Sequence, residues 1–198
     1  LIMSLLILAS ASPRRQELLA QLGVHFAVDP ADIDETAQPG EGAQDYVVRM
    51  AREKAAAVRS RRGSGELVLA ADTTVVIDDD ILGKPADHFS GLGMLARLSG
   101  RTHQVITAVC LAHADGYAEF AVETRVTFVN LTRELCESYL ATDEPWDKAG
   151  SYGIQGLGGA LVRGIEGSYS NVVGMPLAET RELLAAHGVA GRLGPVDA

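Results

Sequence analysis

Cysteine is scarce in this chain: Cys110 and Cys136 are the only two among 198 residues. They form no C-x-x-C pair and belong to no four-ligand Cys/His pattern of a zinc finger, so neither a disulfide framework nor a structural zinc site is expected. Two incidental thiols suit a cytoplasmic protein. No apolar run approaches the ~20 residues that a membrane-crossing helix requires, so a membrane is not an expected partner. Basic residues are outnumbered, 17 Lys and Arg against 26 Asp and Glu, for a net charge of −9. Duplex nucleic acid and anionic lipid both call for a basic face and are poor partners for such a chain; a small anion needs only a local cationic cluster. Several motifs are also missing: a G-x-G-x-x-G after a strand, a Walker lysine, a G-x-S-x-G elbow and H-E-x-x-H. Hydride transfer, Ser-triad hydrolysis and zinc catalysis therefore lack support.

The chain opens on LIMSLLILASASPRRQELLAQLG. An apolar run followed by small residues suits a secretory signal, but residues 1–9 carry no Lys or Arg and Ser4 interrupts the run. Met3 reads as the natural start. The alternative is a core strand through Leu5–Ala9 that feeds a helix, with Ser12 as N-cap, Pro13 at the first helical position and Gly23 as the stop. Further along, the spacing predicts a helix over 44–59 and a strand over 67–77 that turns at Asp78-Asp79-Asp80 into a short return strand. A helix through Leu92, Leu95 and Leu98 follows, then a hairpin of strands over 103–111 and 121–129. Helices over 133–140 and 177–187 flank a glycine-dense stretch. This alternation predicts an α/β domain over 3–190 around a mixed sheet, with a loose tail over 191–198.

The chemistry-bearing residues each admit two readings. Ser10, Ser12, Arg14 and Arg15 gather at a helix start, where free N–H groups and arginine forks suit phosphate; a capped helix with solvated arginines is the plain alternative. Asp72 interrupts a β-branched strand, as a general base or metal ligand in a cleft, or as an edge residue. Asp34 and Glu35 lie in an acidic loop that supplies ligands or is simply solvated. Lys54, among alanines, is a directed ammonium or a snorkelling one. Lys84, between Gly83 and Pro85, marks a pinned cation or a turn, and Asp147-Lys148 a surface pair.

In order and spacing, the segments LASASPRR (8–15), Asp34-Glu35, Glu53-Lys54-Ala55, Ala71-Asp72-Thr73, Gly83-Lys84-Pro85, LSGRTH (98–103), DKAGSYGIQG (147–156) and GSYSNVVGMP (167–176) resemble the Maf family of nucleoside triphosphate pyrophosphatases. The resemblance implies a Maf/ITPase-like fold, an elongated mixed sheet flanked by helices in two lobes with a central cleft, in a homodimer. It implies hydrolysis of a nucleoside triphosphate to the monophosphate and pyrophosphate with Mg²⁺ or Mn²⁺. Asp72 matches the proton acceptor. Arg15, Thr73 and Gln155 match positions that mark the dTTP/UTP branch, the Gln155 amide suiting the two-sided edge of uracil or thymine. On this reading Ser10, Arg14, Arg15, Lys54 and Lys84 serve phosphate, and Glu35 and Asp72 the metal. A nucleotide-binding regulator of septum formation and an ITP/XTP-type pyrophosphatase remain open. Gly91, Met175 and Thr142-Asp143 depart from the usual pattern, with consequences for local stability rather than chemistry.

Overall fold

The structure is a computed structural model, and it describes residues 5–63 and 65–194. The proposed start at Met3 and the last four residues of the expected tail lie outside them. Residues 191–194 are not loose: the Arg192 N–H donates to the Leu22 carbonyl at 2.8 Å, and the Arg192 side chain lies across Gly23.

The expected strand and helix at the chain start are present as β1 (Leu6–Leu8) and α1 (Pro13–Gln21). Ser12 caps α1 by accepting the Arg15 N–H, and Pro13 stands at the helix start, where its missing N–H costs nothing. Gly23 takes a positive φ of 71° just beyond the helix, the left-handed conformation that glycine adopts without strain. There follow β2 (Phe26–Val28), α2 (Ala43–Arg62), β3 (Leu67–Ile77), β4 (Asp80–Leu82), α3 (His88–Leu98), β5 (Thr102–His113), β6 (Gly116–Phe128) and α4 (Arg133–Leu140). Beyond two 3-10 turns, Ala149–Ser151 and Leu157–Leu161, come β7 (Val162–Glu166), α5 (Tyr169–Val173) and α6 (Leu177–Ala186).

Seven strands form one mixed sheet in the order β2-β1-β3-β5-β6-β7, with β4 paired to β3. β1 runs parallel to β2 and β3, matching Leu6 to Phe26 and to Leu67. β4 and β7 pair antiparallel to β3 and β6. Every residue of β1 is buried, as expected for a strand with parallel neighbours on both sides.

The chain divides into two compact units. The first runs to Asp72 and takes in Thr107–Val122 and the chain from Gly174 on; the second holds Thr73–Ile106 and Glu123–Val173. In the first, α1 buries Leu18 and Leu19, and α2 buries Val47, Met50, Ala51, Ala55 and Val58 at helical spacing. The core of the second gathers Val75, Leu95, Leu98, Val126, Phe128, Tyr139 and Tyr152. Gly91 of α3 has its physical reason here. A Cβ at that position would stand 2.8 Å from Leu140 Cδ2, so the glycine lets α4 lie close.

Candidate active site

Asp72 ends the part of β3 that belongs to the first unit, and it is 8% exposed. A buried carboxylate needs a partner. Lys54, on α2, provides it: its Nζ stands 2.6 Å from Asp72 Oδ1 and 2.7 Å from Glu35 Oε1. The Lys54 and Asp72 side chains are almost equally withdrawn from solvent, whereas Glu35 remains 46% exposed. Burial pushes the Asp72 carboxyl above its ordinary value, and the charges of Lys54 and Arg15 draw it back without cancelling the rise. An ammonium has three donors, and the two carboxylates engage two of them.

Arg15 comes from the first turn of α1. Its Nε donates to the Gly174 carbonyl at 2.9 Å, which fixes the direction of the guanidinium. Burial lowers its pKa most strongly; Asp72 and Glu35 act the other way and Arg14 adds to the lowering. Ser10 is buried, and its Oγ accepts the Ser12 N–H at 3.2 Å. A hydroxyl and a capped helix N-terminus thus sit beside two arginines, an arrangement whose chemistry suits an anion such as phosphate.

Glu35 belongs to a segment with no regular structure, and two α2 residues hold that segment. The Tyr46 hydroxyl donates to the Glu35 carbonyl at 2.8 Å. Arg49 reaches both carboxylate oxygens of Glu41, at 2.6 and 2.7 Å, and the Thr36 carbonyl at 3.1 Å. Asp34 turns inward on its own loop, accepting from the N–H and hydroxyl of Thr36, so Glu35 is the acid that reaches Lys54. Burial, with the charges of Asp72 and Glu35, pushes the Tyr46 phenol up to about 12; it stays a donor at neutral pH.

Ser10, Arg14, Arg15, Glu35, Lys54 and Asp72 therefore all belong to the first unit. Thr73, Lys84 and Gln155 belong to the second. Thr73 is half-buried next to Asp72 in β3; Lys84 and Gln155 are exposed. The Lys84 turn is held by the Gly150 N–H, which donates to the Gly83 carbonyl at 3.1 Å. Among the described residues no group of three or more His, Cys, Asp or Glu is placed to hold a metal by itself. Glu35 and Asp72 are hard carboxylate donors of the kind that suits a Mg²⁺-like cation, and Lys54 engages both of them in this structure.

A family model described as "Maf-like protein" matches residues 5–187. The chain belongs to that family. The dTTP/UTP pyrophosphatase of Escherichia coli (strain K12) is 55% identical to this Maf-like chain over 183 residues, 92% of the chain and 93% of the relative. The dTTP/UTP pyrophosphatase of Myxococcus xanthus is 56% identical over 188 residues, 94% of each. A solved nucleoside-triphosphatase / dITP/XTP pyrophosphatase of Mycobacterium abscessus aligns at 15% identity and a TM-score of 0.41, covering 64% of this chain and 74% of that one.

Neither Tyr46 nor Arg49 stands out in the sequence as a site residue. Tyr46 lies eight positions before Lys54, a spacing that shares the broad face of a helix, and that is the one signal available for it. Arg49 reads as an ordinary i,i+4 partner of Glu53 until the fold brings Glu41 beside it.

Proposed function

We propose that this Maf-like protein is a nucleoside triphosphate pyrophosphatase that hydrolyses dTTP and UTP to the monophosphate and pyrophosphate. What carries the reading is its 55% identity, over 92% of the chain, to a protein of that name. The Asp72–Lys54–Glu35 cluster supplies chemistry suited to it. Asp72 takes a proton from the water that attacks the α-phosphorus; the bridging Pα–O bond breaks, and pyrophosphate leaves with the bonding pair. A carboxylate lifted by burial is a stronger base than a solvated one. Lys54, Arg14, Arg15 and the N-terminus of α1, with Ser10, meet the negative charge spread over the phosphoryl oxygens. Lys84 serves phosphate as well.

Glu35 and Asp72 would hold Mg²⁺ or Mn²⁺, which neutralises triphosphate charge when bound. Arg15, Thr73 and Gln155 select the base, and Gln155 presents both a donor and an acceptor to a uracil or thymine edge. The reading extends to a cytoplasmic homodimer, checked by light scattering and cell fractionation. Among the described residues no helix is long and apolar enough to cross a membrane.

The test is pyrophosphate release from a panel of nucleoside triphosphates with Mg²⁺, Mn²⁺ or neither. The expected result is metal-dependent release from dTTP and UTP, reduced about 10²- to 10⁴-fold in Asp72→Asn with its fold unchanged. A preference for ITP would place the protein with purine-directed enzymes. Tight nucleotide binding without turnover would make it a regulatory module.

A further inference from the structure

The glycine-dense stretch between the two 3-10 turns contains none of the phosphate-binding patterns, and its neighbours explain it. Glu144 places its carboxylate inside the turn: Oε2 accepts the Leu157 N–H and Oε1 the Gly158 N–H, both at 2.8 Å. Oε1 also accepts the Tyr139 hydroxyl at 2.8 Å, and that hydroxyl oxygen accepts the Gly153 N–H at 3.1 Å. The Lys148 Nζ donates to the Glu144 backbone carbonyl at 2.6 Å. A Cβ at Gly156 would stand 2.2 Å from Glu144 Oε2, and one at Gly158 would stand 2.6 Å from the Tyr139 hydroxyl. The glycines make room for this carboxylate and phenol. The amides of Leu157 and Gly158 are thus engaged by Glu144 and are not open to an anion.

Gln155 lies midway between the anchored amides of Gly153 and Leu157. Its side chain is exposed and, among the described residues, finds no hydrogen-bond partner. Nothing of its own fixes it, so its place is set by the backbone on either side. We propose that Glu144 and Tyr139 are positioning residues for base selection: together they hold residues 153–158 and thereby aim Gln155 at the pyrimidine. Hydrogen bonds from Gly158, Tyr139 and Leu157, with the charge of Lys148, outweigh burial and hold the Glu144 carboxyl below its ordinary value. The anchor is therefore a carboxylate at neutral pH. The proposal rests on the assignment of Gln155 to the base, and through it on the pyrophosphatase reading.

Glu144→Gln, which puts an NH₂ group where an amide N–H needs an acceptor, and Tyr139→Phe, which keeps the buried ring, test it in the full chain. Pyrophosphate release from UTP and CTP gives KM and kcat for each, alone and combined with Gln155→Ala. Both variants are expected to lower the UTP-over-CTP preference in kcat/KM about tenfold, mostly through KM for UTP. Either should change the Gln155→Ala background by less than about twofold, because residues acting through one another are not additive. Amide exchange at Leu157 and Gly158, followed by NMR, should quicken about tenfold in Glu144→Gln.

A preserved UTP-over-CTP ratio in Glu144→Gln with faster amide exchange would overturn the positioning role, and so would effects that multiply with Gln155→Ala. Unchanged exchange would overturn the anchor itself. If the unaltered protein hydrolysed no nucleotide, the function reading would fall and the role of Gln155 with it. The hold of Glu144 on the loop would then be judged by exchange alone.

Discussion

Lys54→Met keeps most of the length of the side chain and removes its charge. Two ion pairs vanish, and they are unequal. Glu35 is 46% exposed, so water screens its pair to about 0–1 kcal/mol. Asp72 is 8% exposed, and stripping one partner from a buried pair costs about 3–5 kcal/mol when the remaining charge has no relief. Here relief exists in the charge of Arg15 and in protonation of Asp72. A loss of roughly 2–4 kcal/mol at pH 7.5 follows. The pH dependence carries a sign. Burial already raises Asp72 in the folded protein, so its contribution favours folding below the unfolded carboxylate value and fades as pH rises through the folded one. Removing Lys54 lifts the folded value further. The deficit of Lys54→Met should therefore be largest at pH 7.5 and shrink toward pH 4. Urea unfolding of both proteins at pH 4, 5.5 and 7.5 measures it, and adding Asp72→Asn to Lys54→Met should restore part of the loss. A deficit below about 0.5 kcal/mol at pH 7.5, or one that does not vary with pH, would refute the reasoning.

His103 is buried, with Nε2 at 2.7 Å from the Tyr152 hydroxyl, and burial lowers its pKa to about 4. A lowered histidine contributes stability above its unfolded value that is lost as pH falls through the folded one. About 3 kcal/mol should disappear between pH 6.5 and 4, and NMR titration showing a charged imidazole at pH 5.5 would contradict this. Gly150 has a φ of 71°, and a Cβ there would lie 2.9 Å from Val75 Cγ2. Gly150→Ala should cost about 2 kcal/mol or more by combining backbone strain with overpacking; an unchanged denaturation midpoint would be the contrary result. Tyr46→Phe removes the donor to the Glu35 carbonyl, worth about 0.5–1.5 kcal/mol. The Mg²⁺ concentration for half-maximal pyrophosphate release should rise roughly threefold to tenfold, and no change would detach Tyr46 from the role proposed for the Glu35 segment.

Elements that bury a repeated apolar face were legible before folding, and those that do not were missed. β1 and α1 announced themselves through the run Leu5–Ala9 and the Ser12-Pro13 start. β2, β7 and α5 escaped because each has only three to five residues and two of them are largely unburied. Leu92, Leu95 and Leu98 mark α3 but not its start, which lies four residues before Leu92. Its first turn holds Phe89, 85% exposed, and the start is set instead by a capping box between Asp87 and Ser90. The strand expected over 121–129 omits the start of β6 at Gly116 for a similar reason: residues 116–122 are mostly half-buried and show no clean alternation. At the site, an acid inside a β-branched strand marked Asp72. Its bond to Lys54, 18 residues back, depends on how α2 lies against β3, which no local pattern encodes. Asp147-Lys148 read as a surface pair, yet the Lys148 side chain is mostly covered and also reaches the Glu144 carbonyl. Glu144 itself, in a polar loop before Pro145, carried no signal at all.

The central claim is that the Asp72 cluster directs water at the α-phosphorus of a pyrimidine nucleoside triphosphate. Hydrolysis of UTP in ¹⁸O-labelled water, with the products resolved by ³¹P NMR, tests it most directly. The account predicts the label in UMP, none in pyrophosphate, and near-complete loss of both products in Asp72→Asn. Label in pyrophosphate, or undiminished turnover by Asp72→Asn, would contradict it.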